Sequence, residues 1–170
     1  MSKIIVKPNK YEDIKYLINK DNYKDYISDN SLLIVLDTHQ YDRINCLDLA
    51  TSIKNICVLD HHIKSSNYIK DTKLFYIDST LSCVVELISL YSKYLHISIS
   101  PVVATIMLAG MEIDTNGFNV KITERTFEVA AYLVSMGADS ILKQELLKES
   151  KEDLYKNQTP EEVEKLVKAD

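Results

Sequence analysis

Leu32-Leu33-Ile34-Val35-Leu36-Asp37-Thr38-His39 and Ile56-Cys57-Val58-Leu59-Asp60-His61-His62 follow one plan, an apolar run that ends directly in an acid and histidine. Each run has strand length and is nearly continuous in apolar character, which suits a strand of a buried parallel sheet. In parallel α/β sheets, ligands bind at the carboxyl ends of the strands. Two strands that both end in acid and histidine therefore point to one site on one edge of such a sheet.

Outward from this pair, residues 3–6 and 74–77 are further strand-length apolar runs. Between the first two runs, residues 11–19 place Ile14, Tyr16, Leu17 and Ile18 in a mostly helical pattern, and residues 21–27 suit another short helix, so the start reads β, α, β. After Ile77 the spacing becomes helical, with helices expected over 81–95, 101–114, 124–136 and 139–148. Pro101 suits a first helical turn, Gly137 a C-terminal cap and Asp139 the cap of the next helix. The expected fold is an α/β domain over residues 1–148, a parallel sheet flanked by helices. Residues 149–170 are highly charged and read as a linker or terminal helix that restarts at Thr159-Pro160-Glu161-Glu162.

The 170 residues, 46% hydrophobic and 26% charged, suit one soluble compact domain. A net charge of −5 argues against a broad nucleic-acid surface or an anionic-membrane surface, which use a basic face. An anionic substrate would then need metals or a few local cations. Cys46, Cys57 and Cys83 lack metal-ligand spacing, and an odd count fits free buried thiols and a reducing cytoplasm. The apolar stretch over 101–113 is too short for the roughly 20 residues of a membrane span.

A third element, Leu108-Ala109-Gly110-Met111-Glu112-Ile113-Asp114-Thr115-Asn116-Gly117-Phe118, delivers another acid just before an Asn-Gly turn. Gly110 costs its helix about 1 kcal/mol relative to alanine, which close packing or backbone approach would explain. Carboxylate oxygen with imidazole nitrogen suits manganese, zinc or iron better than calcium, and Asp37, His61 and Asp114 fit that chemistry. A bound metal lowers the pKa of its water to about 7, and a second ion about 4 Å away clamps a phosphoryl group. Asp37 is the best candidate to bridge two such ions. His39 opens a loop and suits backbone capping as well as a site role, His96 reads as an ordinary histidine, and Asp78 and Glu86 read as helix-end partners.

With these elements in order, the chain resembles the DHH phosphoesterases, and among them the GdpP-type cyclic-di-AMP phosphodiesterases. The resemblance rests on Asp37-Thr38-His39, Asp60-His61-His62 and Ala109-Gly110 followed by Asp114-Thr115. Tyr76-Ile77-Asp78, Leu81-Ser82-Cys83 with Glu86, Arg125-Thr126-Phe127, Ala131-Tyr132-Leu133 and Gly137-Ala138-Asp139 extend it. It implies a two-manganese centre and hydrolysis of a small-molecule phosphodiester, a cyclic dinucleotide such as cyclic-di-AMP. Asp37 would bridge the metals, His61 and Asp114 would complete one metal's shell, and His62 would face the substrate phosphate. Asp60 and His39 would orient these groups. Arg125 could contact phosphate, although a structural ion pair suits it better.

The family's opening His-x-x-x-Asp-x-Asp motif does not occur in these residues, and Ser2-Lys3-Ile4-Ile5-Val6 resembles the family's second strand. The expectation is a truncated DHH domain in which one metal half-site is well preserved and the other holds only Asp37. Such a gap would leave an unpaired sheet edge. Ile63-Lys64 stands where arginine is usual, Val84 where threonine is and Thr123 where glycine is, which bears on substrate choice. The alternatives are an inactive metal- or nucleotide-binding fragment, a piece completed by another chain or a homo-oligomer, or a family enzyme acting on oligonucleotides, polyphosphate or pyrophosphate. The chain itself is expected to be cytoplasmic, with any membrane anchor of a parent protein lying in other segments.

Overall fold

The computed structural model describes residues 4–6, 17–19, 23–44 and 46–156, with side chains over 23–44 and 46–148. The chain forms two compact units, Met1–Thr80 and Leu81–Asp170, taken separately below. Residues 11–16 and 21–22 of the expected early helices, and the expected helix restart at 159–162, lie outside the described residues.

In the first unit, β1 (Ile4–Val6) pairs in parallel with β2 (Leu17–Asn19), Ile4 opposite Leu17 and Val6 opposite Asn19. Helix was expected at 17–19, and strand is found. Two adjacent apolar residues such as Leu17 and Ile18 fit either period, so a strand partner decides between them. Residues 23–26 form a single 3-10 turn.

The second sheet of this unit holds β3 (Leu32–Leu36), β4 (Asn55–Asp60) and β5 (Leu74–Ile77), all parallel and in that spatial order. Leu36 lies opposite Leu59, and Leu59 opposite Tyr76. Side chains alternate across a strand, so Val35, Ile56 and Val58 pack on one face with Ile69. On the other face Leu32, Ile34 and Leu36 stay 54%, 53% and 43% exposed, so the continuous apolar run does not amount to burial on both faces. Helix α1 (Leu47–Ser52) lies between β3 and β4, and its Leu49 packs with Tyr23, Ile53 and Leu33. Six residues are too few for a helical period to show, which is why α1 escaped the sequence reading.

The second unit is helical: α2 (Val84–Tyr94), α3 (Pro101–Asp114), α4 (Glu124–Ser135) and α5 (Ser140–Lys156). Its core joins Cys83, Ile99, Ala104, Leu108, Met111, Val129 and Leu133. Burying a side chain such as Met111 or Leu133 contributes about 1.5–3 kcal/mol. Ser100 caps α3 by accepting the Val103 N–H, with Pro101 in the first turn. Gly137 follows α4 at φ 91, and the Ala138 N–H returns to the Leu133 carbonyl, the expected C-terminal cap. Asp139 Oδ1 accepts from the N–H groups of Ile141 and Leu142 and caps α5, which continues past residue 148 without a break. Thr105 ties α3 to the start of α5 by donating to the Pro101 carbonyl and accepting the Asp139 N–H.

Gly110 has no tight neighbour: an added Cβ would first meet Val85 Cγ2 at 3.9 Å. The expected close approach is therefore not the reason for this glycine. Of the cysteines, all free, Cys83 is buried, while Cys46 and Cys57 are partly accessible. Among the described residues no helix is long and apolar enough to cross a membrane.

Candidate metal centre

Parallel pairing of β3 with β4 brings the residues after Leu36 and Leu59 out at one sheet edge. Asp37 still donates its N–H to the Leu59 carbonyl at 3.1 Å, and then turns the chain at φ 65. That left-handed conformation costs an ordinary residue about 1–2 kcal/mol, and aspartate is among the few that tolerate it. The turn presents the Asp37 carboxylate beside the next strand end, with Oδ1 3.1 Å from His61 Nε2.

His61 is buried, and its ring lies 4.4 Å from that of His62 between centroids. One ligand atom from each of Asp37, His61 and His62 falls within 4.8 Å of the others. Two ligands held about 2.0–2.2 Å from one ion stand roughly 3 Å apart, the spacing seen between Asp37 and His61. Mixed oxygen and nitrogen donors suit a borderline divalent cation such as manganese, zinc or iron. The residues present therefore fit a metal.

Asp60 is fully buried and anchors the two histidines beside it. Its Oδ1 accepts the main-chain N–H of His61 at 2.7 Å and of His62 at 3.2 Å, and also meets His62 Nδ1 at 2.7 Å. Its Oδ2 lies 2.5 Å from Nδ1 of the buried His39. Burial, the largest single influence on this carboxyl, pushes its pKa up. The hydrogen bonds from His39, His62 and the two main-chain groups together outweigh burial and hold it below the usual value. Asp60 thus stays a carboxylate inside the protein, while the His62 side chain bonded to it is 44% exposed.

Just beyond the site, Lys64 Nζ lies 4.4 Å from the centroid of the Tyr68 ring and 5.1 Å from that of Phe75. This is a cation–π contact, worth about 0.5–1 kcal/mol where exposed.

Asp114 and Arg125 belong to the second unit. Asp114 ends α3 and is exposed, at a helix end whose dipole disfavours a carboxylate by about 0.3–1 kcal/mol. Thr115 beside it is buried and donates to the Met111 carbonyl at 2.7 Å while accepting the Phe118 N–H at 3.0 Å. This holds the turn through Asn116, Gly117 and Phe118, all at positive φ. Arg125 lies exposed in the first turn of α4. The buried Glu86 accepts from the N–H and hydroxyl of Ser82 at the start of α2, the expected helix-end role, whereas Asp78 accepts from those of Thr80 and closes a turn ahead of that helix.

The sequence missed Ser65, whose main-chain N–H points at His39 Nε2 from 3.0 Å. No residue type is required for that contact, so no sequence signal could reveal it.

Comparison with known proteins agrees with the motifs. Residues 3–111 match the DHH family, N-terminal domain. The cyclic-di-AMP phosphodiesterase GdpP of Bacillus subtilis is 31% identical over 159 residues, covering 92% of this chain and 24% of the relative. The cyclic-di-AMP phosphodiesterase PdeA of Listeria monocytogenes is 34% identical over 163 residues, covering 86% and 25%. The chain thus spans about a quarter of the length of these curated relatives. An exopolyphosphatase-related protein from Bacteroides fragilis, 19% identical, superposes with a TM-score of 0.69 over 95% of this chain and 49% of its own, a likeness of fold.

Proposed function

This chain belongs to the DHH family, and on that premise we propose that it is a metal-dependent phosphoesterase domain that hydrolyses phosphodiester bonds of cyclic dinucleotides, cyclic-di-AMP first among them. The observation that carries the reading is the Asp37, His61 and His62 group at the ends of two parallel strands, with Asp60 buried behind it. The named activity of the relatives supports the substrate.

In this reading Asp37 and His61 hold manganese, His62 faces the substrate phosphate, and Asp60 and His39 orient the histidines. Asp114 keeps the ligand role, and Arg125 the phosphate contact, that the sequence motifs suggest. When bound, the cation stabilises phosphoryl charge and supplies hydroxide near neutral pH. The protein's own part is positional. Asp60 holds both histidines by their main-chain N–H groups, and the αL turn at Asp37 aims its carboxylate at His61. A second reading, a module that binds metal or nucleotide without turnover, draws on the absence of His-x-x-x-Asp-x-Asp from these residues.

The test is a manganese titration of the chain together with a cyclic-di-AMP hydrolysis assay, repeated with a strand bearing that motif joined upstream. Manganese binding by the chain, with hydrolysis once the strand is supplied and its loss on Asp37→Ala, is expected. Binding without turnover in either form supports the second reading, absence of metal binding removes the first, and absence of both metal and cyclic-di-AMP binding removes the second as well.

A further inference from the structure

Phe118 and Phe127 are stacked, with ring centroids 6.0 Å apart and ring planes 24° from parallel. Phe118 is half-buried against the helical core, whereas Phe127 leaves 53% of its surface exposed. Two buried threonines hold the pair. Thr115 accepts the Phe118 N–H on its hydroxyl, and its carbonyl accepts the N–H groups of Asn119 and Val120 at 2.8 and 2.9 Å. Thr126 accepts the Thr123 N–H at 2.9 Å in the box that starts α4, and so fixes the residue beside it, Phe127. The loop between them passes through Phe118 at φ 63, a conformation that bulky side chains rarely adopt and that persists where the surroundings enforce it. Strain kept to seat one ring under a second ring that stays in water does not serve burial.

From this geometry we infer that the Phe118–Phe127 pair is a stacking platform for a purine base of the nucleotide substrate. The inference rests on the proposed phosphoesterase reading and adds where the base is held. Phe118 follows Asp114 by four residues, and the Gly117 N–H returns to the Glu112 carbonyl at 2.8 Å, so the loop folds back on the end of α3 that carries Asp114. A base on the outer side of Phe127 would continue a stack already begun, at the spacing of about 4.5–7 Å that aromatic pairs favour. Asn119, Lys121, Thr123 and Arg125, which flank the pair in sequence, are exposed and polar, and the two cations suit the phosphate attached to such a base. Within residues 116–128 the other exposed apolar side chains are Val120 and Ile122. Three such side chains fall far short of the roughly 20–30 residues a side of a stable protein interface, and they match the size of a single base.

The test titrates adenosine monophosphate and ribose phosphate separately into the isotope-labelled chain, with and without manganese, and follows binding by nuclear magnetic resonance. Cross-relaxation between the adenine ring protons and the Phe127 ring is expected. Phe127→Ala should weaken adenosine monophosphate binding by about 5–150-fold, the worth of one base–aromatic stack, and leave ribose phosphate and manganese binding as they were. A ring needed only for structure would change all of these together. Because Phe127 is exposed, the fold should survive, and Phe127→Trp keeps an aromatic face and should retain most of the affinity.

Equal adenosine monophosphate affinity in wild type and Phe127→Ala overturns the inference, as does an adenine that binds without contact to Phe127 or does not bind at all. Concentration-dependent shifts of the Phe127 ring without ligand would assign the surface to a second copy of the chain and overturn it too. Should Phe127→Ala fail to fold, the wild-type contacts and Phe127→Trp decide. Base contacts to Phe127 in a chain that binds no manganese would remove the metal reading and leave the platform standing. Manganese binding without base contacts would remove the platform alone, so the two failures are separable.

Discussion

Replacing Asp60 by asparagine removes a charge and changes almost no volume, and its effect follows from the four hydrogen bonds around that carboxylate. With the amide oxygen in the place of Oδ1, asparagine still accepts from the two main-chain N–H groups and His62 Nδ1, now as neutral bonds. Its NH2 then faces His39 Nδ1–H across 2.5 Å, donor against donor. His39 cannot escape by moving its proton to Nε2, because the Ser65 N–H already points there. Turning the amide over sets its NH2 against three donors instead.

A hydrogen bond to a charged group contributes about 1.5–3 kcal/mol against about 0.5–1.5 for a neutral one, and an unsatisfied buried donor costs about 1–3. The lighter desolvation of an amide offsets part of the sum, leaving a net loss of about 3 kcal/mol. For a chain of this size that is a fall in Tm of about 6–12 °C. Thermal unfolding of the metal-free protein followed by circular dichroism measures it. A fall below about 2 °C, less than about 1 kcal/mol, would refute the network as drawn.

Gly137→Ala should cost about 1–3 kcal/mol in denaturant unfolding, since its φ of 91 is foreign to alanine and the new Cβ would stand 3.2 Å from Pro101 Cγ; an unchanged midpoint contradicts this. Gly110→Ala, which has room for a Cβ, should raise stability by about 0.5–1 kcal/mol, and a loss would mean that the glycine is needed for an approach not seen here. Burial chiefly, with the charges of Glu86 and Asp114 adding, pushes the Cys83 thiol up against the weaker opposing effect of Ser82 and main-chain hydrogen bonds. Cys83 should therefore resist alkylation until the chain is unfolded, while the partly accessible Cys46 and Cys57 react first. Because the unfolded thiol ionises before the folded one, this contribution to stability is present below the ordinary thiol pKa and lost as pH rises above it. Equal native reactivity of all three cysteines would overturn the placement.

The strands at Leu32–Leu36 and Leu74–Ile77 and the helix at Pro101–Asp114 were legible to their ends, because short continuous apolar runs bounded by polar residues mark the strands and a proline marks the start of the helix. Leu17–Asn19 was not, since an apolar pair obeys either period until a partner strand settles it. The acids and histidines of the site were legible by residue type, and the pairing of Leu36 with Leu59 explains why Asp37 and His61 meet. Their preparation was not legible. Ser65 acts through its main chain, and the αL turn at Asp37 leaves no mark on the sequence beyond the aspartate itself. The exposed side of β3 was equally hidden, because an apolar run looks the same whether one face or both are covered.

The central claim is that Asp37 and His61 hold a cation, and Asp37→Asn tests it most directly. Asparagine tolerates the left-handed turn at φ 65, so the fold should survive while the anionic ligand is lost. Calorimetric titration with manganese should show saturable binding to the wild-type chain. In the variant, affinity should fall more than about tenfold, the least that even an outer partner of a ligand costs, with the metal-free melting temperature unchanged. Equal affinity in the two proteins, or no saturable binding to the wild type, would contradict the account.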